Sequence, residues 1–202
     1  LPEALQSPAR EYCADIGLTV SNTDGVPVSC RAGDCLAVEG TAGGVTLTYR
    51  KTCELFRALS FLPTFLTDGK PVRETARYRL LSYMGDCSRN AVFNVPFAKQ
   101  MIRYLAGMGY DSMMLYTEDT YELPGYPYFG HMRGRFTAAE LRELDDYAYS
   151  FGLELIPCVQ SLAHLATALR WPDFSGYTDT GDILMVGDER TSRFIEAVLR
   201  QM

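Results

Sequence analysis

SMMLYTEDT, residues 112–120, is the stretch on which the fold turns: a short apolar run that stops abruptly at two carboxylates. Such a run reads as a strand over 112–116, with the polar residues after it forming a loop at its carboxyl end. The same pattern occurs on either side. SYMGD (82–86) runs into CSRN (87–90), and LELIPCV (153–159) runs into QSLAH (160–164). Between the first two strands, residues 95–109 place Met101, Ile102, Leu105 and Met108 on one helical face, with Asn94 available as a cap. Between the second two, Thr137 and Glu140 form a capping box for a helix whose Leu141, Leu144, Ala148 and Phe151 fall on one side before Gly152 stops it. A further helix is expected over 191–201. The three strands begin 30 and 41 residues apart, the spacing of βα units in a parallel sheet.

The residues ahead of this rhythm follow a different one. Short runs at 18–21, 26–29, 35–38 and 45–49 are separated by Asp24-Gly25, Gly33-Asp34 and Gly43-Gly44, the punctuation of an antiparallel meander. Leu55, Phe56, Leu59, Leu62 and Leu66 then form one helical stripe over 51–66, and residues 67–71 read as a turn. The expected organisation is therefore a small α+β domain over 1–72, followed over 73–202 by about three βα units. Three units are too few to close an eight-fold barrel, which takes about 250 residues. The expected result is an α/β half-sheet with an exposed edge strand, a surface open to self-association.

Composition removes several function classes. The 202 residues carry 19 Lys+Arg against 25 Asp+Glu, a formal charge of −6, which argues against nucleic-acid binding driven by bulk positive charge. No apolar run approaches the roughly 18 residues of a membrane helix, so no membrane partner is expected. The six cysteines (13, 30, 35, 53, 87, 158) contain no CxxC pair, which disfavours a zinc site. Cys87 and Cys158 lie in apolar runs where a free thiol is the common occupant, so reduced cysteines and a cytoplasmic location are expected. The chain opens at Leu1 with neither an initiator Met nor a leader, the mark of a processed or truncated start.

Chemistry is expected after the strands, because parallel α/β folds build their sites at the carboxyl ends. There the sequence places Asp86 and Arg89, then Glu118 and Asp119, then His164. Each has a bland reading as well: Arg89 as the partner of Asp86, the two acids as solvated loop groups or caps, His164 as a structural residue. Their arrival on three successive strand ends favours a site. The loop YELPGYPYFG (121–130) and the single Trp171 add aromatic faces of the kind that stack on pyranose rings, while Arg and carboxylates bind hydroxyls. The same rings would also serve to pack the loops. No GxGxxG, P-loop or nucleophile elbow occurs.

Taken together, DCSRN (86–90), LYTEDTY (115–121), YFG (128–130), RGR (133–135), IPC (156–158), LAHL (162–165) and RWP (170–172) resemble glycoside hydrolase family 20, most closely its bacterial β-N-acetylhexosaminidases. The resemblance covers residues 75–202, and more weakly the small domain before them. It implies a (β/α)8 barrel that removes terminal β-linked N-acetylglucosamine or N-acetylgalactosamine with retention, the substrate's own acetamido oxygen acting as nucleophile. It implies no cofactor, and a glycan ending in N-acetylhexosamine as partner. Arg89 matches the arginine that grips the terminal sugar's 3- and 4-hydroxyls. Glu118 matches a carboxylate, often Asp in other members, that hydrogen-bonds the histidine matched by His164; the pair supports the general acid. Asp119 and Trp171 complete the expected sugar-binding set.

The family's catalytic Asp-Glu pair has no match. Asp188-Glu189, at the start of the last helix, corresponds to helix-start acids instead. The expectation is therefore that the acid lies beyond residue 202 and that this chain alone is inactive. A non-catalytic carbohydrate-binding or assembly module is the alternative. A sugar-phosphate barrel enzyme fits less well, since no Lys or glycine-rich phosphate loop follows any strand.

Overall fold

A computed structural model describes residues 1–202. Two compact units are distinguished: Leu1–Tyr83 with Pro96–Met113 and Asp145–Leu155, and Met84–Val95 with Met114–Leu144 and Ile156–Met202.

The first unit opens with a helix, α1 (Glu3–Asp15), that the sequence reading did not anticipate. Pro8 argues against it by removing an internal hydrogen bond. The helix forms nonetheless, because Ala9, Tyr12 and Cys13 bury one face and Tyr12 meets Phe56 edge-on at 5.8 Å. Residues 18–21 are not a strand. Four strands follow, β1 (Val28–Ala32), β2 (Leu36–Thr41), β3 (Gly44–Tyr49) and β4 (Val72–Glu74), in the order β1-β3-β2-β4.

The expected antiparallel meander is corrected here. β2 and β3 do form an antiparallel hairpin, but β1 lies beside β3 and parallel to it, with Val28 opposite Val45. Burial explains the order. β2 and β3 carry Leu36, Ala37, Val38, Val45 and Leu47, all buried, so they take the centre. β1 is largely exposed and joins as an edge through polar contacts, Ser29 Oγ with Thr46 Oγ1 at 2.9 Å and Arg31 Nε donating to Thr48 Oγ1 at 3.1 Å.

The stripe over 51–66 is two helices, α2 (Thr52–Ser60) and α3 (Leu62–Asp68). Pro63 sets the break, since its ring cannot tolerate a helical carbonyl four residues earlier. α3 ends at Gly69 in a left-handed conformation, at the expected turn.

The βα rhythm is observed. β5 (Ser82–Asp86), α4 (Val95–Met108), β6 (Ser112–Tyr116), α5 (Ala138–Ser150) and β7 (Glu154–Cys158) follow in order, and the strands form one sheet β5-β6-β7. Asp111 N–H donates to the Leu81 carbonyl at one end of β5 and β6, and Cys87 N–H donates to the Tyr116 carbonyl at the other, so those strands are parallel. Glu154 N–H to the Asp111 carbonyl brings the start of β7 beside the start of β6.

Ile102, Leu105, Ala106 and Gly107 bury the face of α4; Met108, expected on it, is exposed. Gly107 is required there, because a Cβ would sit 1.9 Å from the Tyr12 hydroxyl. The capping box of α5 forms as expected: Glu140 N–H donates to Thr137 Oγ1 at 3.1 Å, and Thr137 N–H to Glu140 Oε2 at 2.8 Å.

Beyond β7 the second unit adds a short helix α6 (Ala166–Leu169), a 3-10 turn (Pro172–Phe174), a small hairpin of β8 (Thr178–Thr180) and β9 (Ile183–Leu184), and α7 (Glu189–Gln201). Asp188 caps α7 by accepting from Arg190 N–H at 2.8 Å. No helix is long and apolar enough to cross a membrane.

Candidate functional site

Asp86 ends β5, and its carboxylate organises the loop that follows. Oδ1 accepts from Ser88 N–H at 2.8 Å, Ser88 Oγ at 2.9 Å and Arg89 N–H at 3.2 Å, while Oδ2 accepts from Arg89 Nη1 at 2.7 Å. Burial works to raise the Asp86 pKa, but the donors from Arg89 and Ser88 outweigh it and hold the group well below the usual carboxylate range. The loop is thereby fixed while the Arg89 side chain stays 59% exposed.

The Arg89 guanidinium lies over the Tyr116 ring, 4.9 Å from its centroid, and Nη2 is 3.9 Å from Glu118 Oε1. Tyr116, the last residue of β6, donates its hydroxyl to the same Glu118 oxygen at 3.1 Å. Glu118 has a left-handed backbone (φ 48°), an uncommon state for a side chain with a Cβ, and its N–H donates to Gln160 Oε1 at 2.8 Å. Gln160, just past β7, therefore ties the ends of β6 and β7 together. Strand-end placement thus brings Arg89 and Glu118 side by side.

The structure draws no hydrogen bond or ion pair between Glu118 and His164. His164 is exposed, with its own left-handed backbone (φ 61°). The bridge from the third strand to Glu118 is made by Gln160, four residues nearer β7, and it reaches the Glu118 backbone rather than its carboxylate.

Asp119 points the other way. Its side chain is 1% exposed and meets Arg133 Nη1 at 3.3 Å, and burial raises its pKa against the opposing charge of Arg133. Trp171 packs with Tyr128 and His131, ring centroids 5.6 and 4.9 Å away, with Arg170 over its ring at 4.9 Å. No group of three His, Cys, Asp or Glu side chains is placed to hold a metal ion.

No protein-family profile and no curated protein sequence matches the chain. Solved structures do. An N-acetyl-β-hexosaminidase from Streptomyces plicatus is 22% identical with a TM-score of 0.74, covering 96% of this chain and 49% of its own. A family 20 β-N-acetylhexosaminidase from Streptomyces coelicolor is 23% identical with a TM-score of 0.75, covering 96% and 50%. A family 20 exo-β-N-acetylglucosaminidase from Vibrio harveyi, solved with N-acetylglucosamine, is 15% identical with a TM-score of 0.74, covering 98% and 39%. The fold is that of the matching part of these glycoside hydrolase family 20 structures. The chain spans about half the length of the Streptomyces structures it matches.

On this family 20 fold, the polar residues beside Arg89 extend beyond those anticipated. Tyr116 and Gln160 carry the geometry of Glu118, yet Tyr116 reads in sequence as a strand residue and Gln160 as the first residue of a loop. Their positions at strand ends were the available signal. Arg133, 45 residues from Ser88 whose carbonyl it binds, left no sequence signal beyond its place in the RGR motif. Chemically, Arg89 offers donors and Glu118 an acceptor less than 4 Å apart, an arrangement able to hold two neighbouring hydroxyls at once.

Proposed function

We propose that this chain carries the sugar-gripping part of a β-N-acetylhexosaminidase that removes terminal N-acetylglucosamine or N-acetylgalactosamine from a glycan. The observation that carries this reading is the Arg89 fork: an exposed guanidinium seated on Tyr116, tied to Asp86 and facing Glu118 at the carboxyl ends of parallel strands. A Streptomyces plicatus hexosaminidase sharing the fold was solved with N-acetylglucosamine as product.

In this reading residues 1–72 are a small domain ahead of the barrel, and 73–202 contribute its first βα units. Arg89 donates to two sugar hydroxyls and Glu118 accepts from one of them. Trp171, with Tyr128, offers an aromatic wall. The substrate's acetamido oxygen attacks the anomeric carbon as the glycosidic bond breaks, and the leaving oxygen takes a proton from an acid outside residues 1–202. Asp188-Glu189 is unsuited to that task, since Asp188 is engaged in capping α7 and pairing with Arg190.

That same engagement favours a second reading, a carbohydrate-binding module without catalysis. Titration of the chain with N-acetylglucosamine, followed by NMR, tests what the two share: saturable binding that is weakened in Arg89→Ala is expected, and no binding by the unaltered chain would overturn both. A chromogenic β-N-acetylglucosaminide is expected to remain intact with this chain alone. Turnover of that glycoside by a longer chain containing these residues is expected only if they belong to a hexosaminidase.

A further inference from the structure

We propose that Arg133 is a positioning residue for Arg89, fastening the loop over 117–136 to the loop that presents the sugar-gripping guanidinium. One end of the Arg133 fork pairs with the buried Asp119 carboxylate at 3.3 Å; the other donates to the backbone carbonyl of Ser88, the residue immediately before Arg89. A single planar group with two donor edges is needed to reach both partners at once.

The chain makes costly local concessions to bring Arg133 inward. Met132, directly before it, has a left-handed backbone (φ 61°) and a side chain left 84% exposed, while the Arg133 side chain is only 19% exposed. A left-handed β-carbon-bearing residue is strained and persists where the surroundings demand it. Gly130 (φ 66°) lets the same loop lie against Asp119: a Cβ there would come within 2.2 Å of the Asp119 carbonyl oxygen. Neither Asp119 carboxylate oxygen has a hydrogen-bond partner, so the nearby Arg133 charge is its principal compensation.

The two anchors of Ser88 and Arg89 are then complementary. Asp86 fixes the loop from its own strand, and Arg133 fixes it from the next βα connection. Arg133 bonds Ser88 and Asp119, whereas Arg89 is matched with Asp86, Glu118 and Tyr116, so the effect of Arg133 on a ligand passes through Arg89.

The consequence for sugar binding rests on the proposed function; the fastening itself does not, and the experiment separates them. In Arg133→Lys, which keeps the charge but loses the fork, and in Arg133→Ala, backbone amide signals of residues 87–90 are expected to shift and to exchange with solvent at least about tenfold faster, as for a loop released to local opening. Signals of β6 and α7 are expected to stay in place. Unchanged amides at 87–90 in both variants would overturn the proposal.

N-acetylglucosamine affinity is expected to fall by roughly tenfold or more, the scale on which a misplaced binding group is felt. The double variant with Arg89→Ala is expected to bind no worse than Arg89→Ala alone. A further loss in the double variant would show that Arg133 acts independently of Arg89, which also overturns the proposal. Should the unaltered chain bind no sugar, the functional reading fails, while the amide measurements still decide the fastening.

Discussion

Arg103 and Arg89 have nearly the same partners and opposite consequences. In the first unit, Arg103 binds the Asp15 carboxylate, Glu11 at 3.0 Å and the Tyr147 hydroxyl at 2.8 Å, and Tyr147 in turn donates to Glu11 at 2.7 Å. In the second unit, Arg89 is matched with Asp86, Glu118 and Tyr116. Each constellation is one arginine, two carboxylates and one tyrosine. The Arg103 side chain is 15% exposed and that of Arg89 is 59% exposed. Arg103 spends its donors closing α1 onto α4 and α5. Arg89 sits past a strand end, seated on the Tyr116 ring, with most of its side chain left to solvent. Partner identity therefore does not distinguish a buried clasp from an exposed fork; burial and position do.

The largest expected effect tests the clasp. Arg103→Met leaves two partly exposed carboxylates and a phenol without their cation, and a stability loss of about 2–3 kcal/mol in urea denaturation is expected. A loss below about 1 kcal/mol would place Arg103 with ordinary surface pairs and dissolve the contrast.

The tyrosines sharpen it next. Tyr147→Phe removes a hydroxyl bridging Arg103 and Glu11, at an expected cost of about 1–2 kcal/mol. Tyr116→Phe keeps the ring beneath Arg89 and is expected to change stability by no more than about 0.5 kcal/mol, while loosening Glu118 and weakening sugar binding.

Acid titration separates the loop anchor from both. The folded pKa of Asp86 lies below its ordinary value of 3.8, so its contribution to stability is present above pH 3.8 and is lost as pH falls below that value. Because the side chain is 40% exposed, solvent screening limits the contribution to a few tenths of a kcal/mol. Asp86→Asn is expected to flatten that part of the acid-unfolding curve; an unchanged slope would show that Asp86 stabilises nothing.

The smallest stability effect is expected at the fork. Arg89→Ala should leave unfolding unchanged, yet weaken N-acetylglucosamine binding roughly tenfold or more, read by the two measurements side by side. A large loss of stability without loss of binding would make Arg89 a second clasp.

What the sequence by itself determined was the βα rhythm and the strand ends, because hydrophobic periodicity, caps and glycine stops are local properties that survive in one dimension. Residues 82–86, 112–116 and 154–158 became strands, Thr137 and Glu140 closed their capping box, and Arg89 and Glu118 met at neighbouring ends. The tertiary structure decided what depends on competition for burial and on long-range partners. β1 lost the centre of its sheet to β2 and β3 because it had less apolar surface to hide, and α1 survived Pro8 because Phe56 awaited Tyr12. Glu118 bonded Tyr116 and Gln160 where His164 had been expected, and Arg133 reached Ser88 across 45 positions. A hydrogen bond of that kind depends on where two loops stand in space, which periodicity along the chain does not encode.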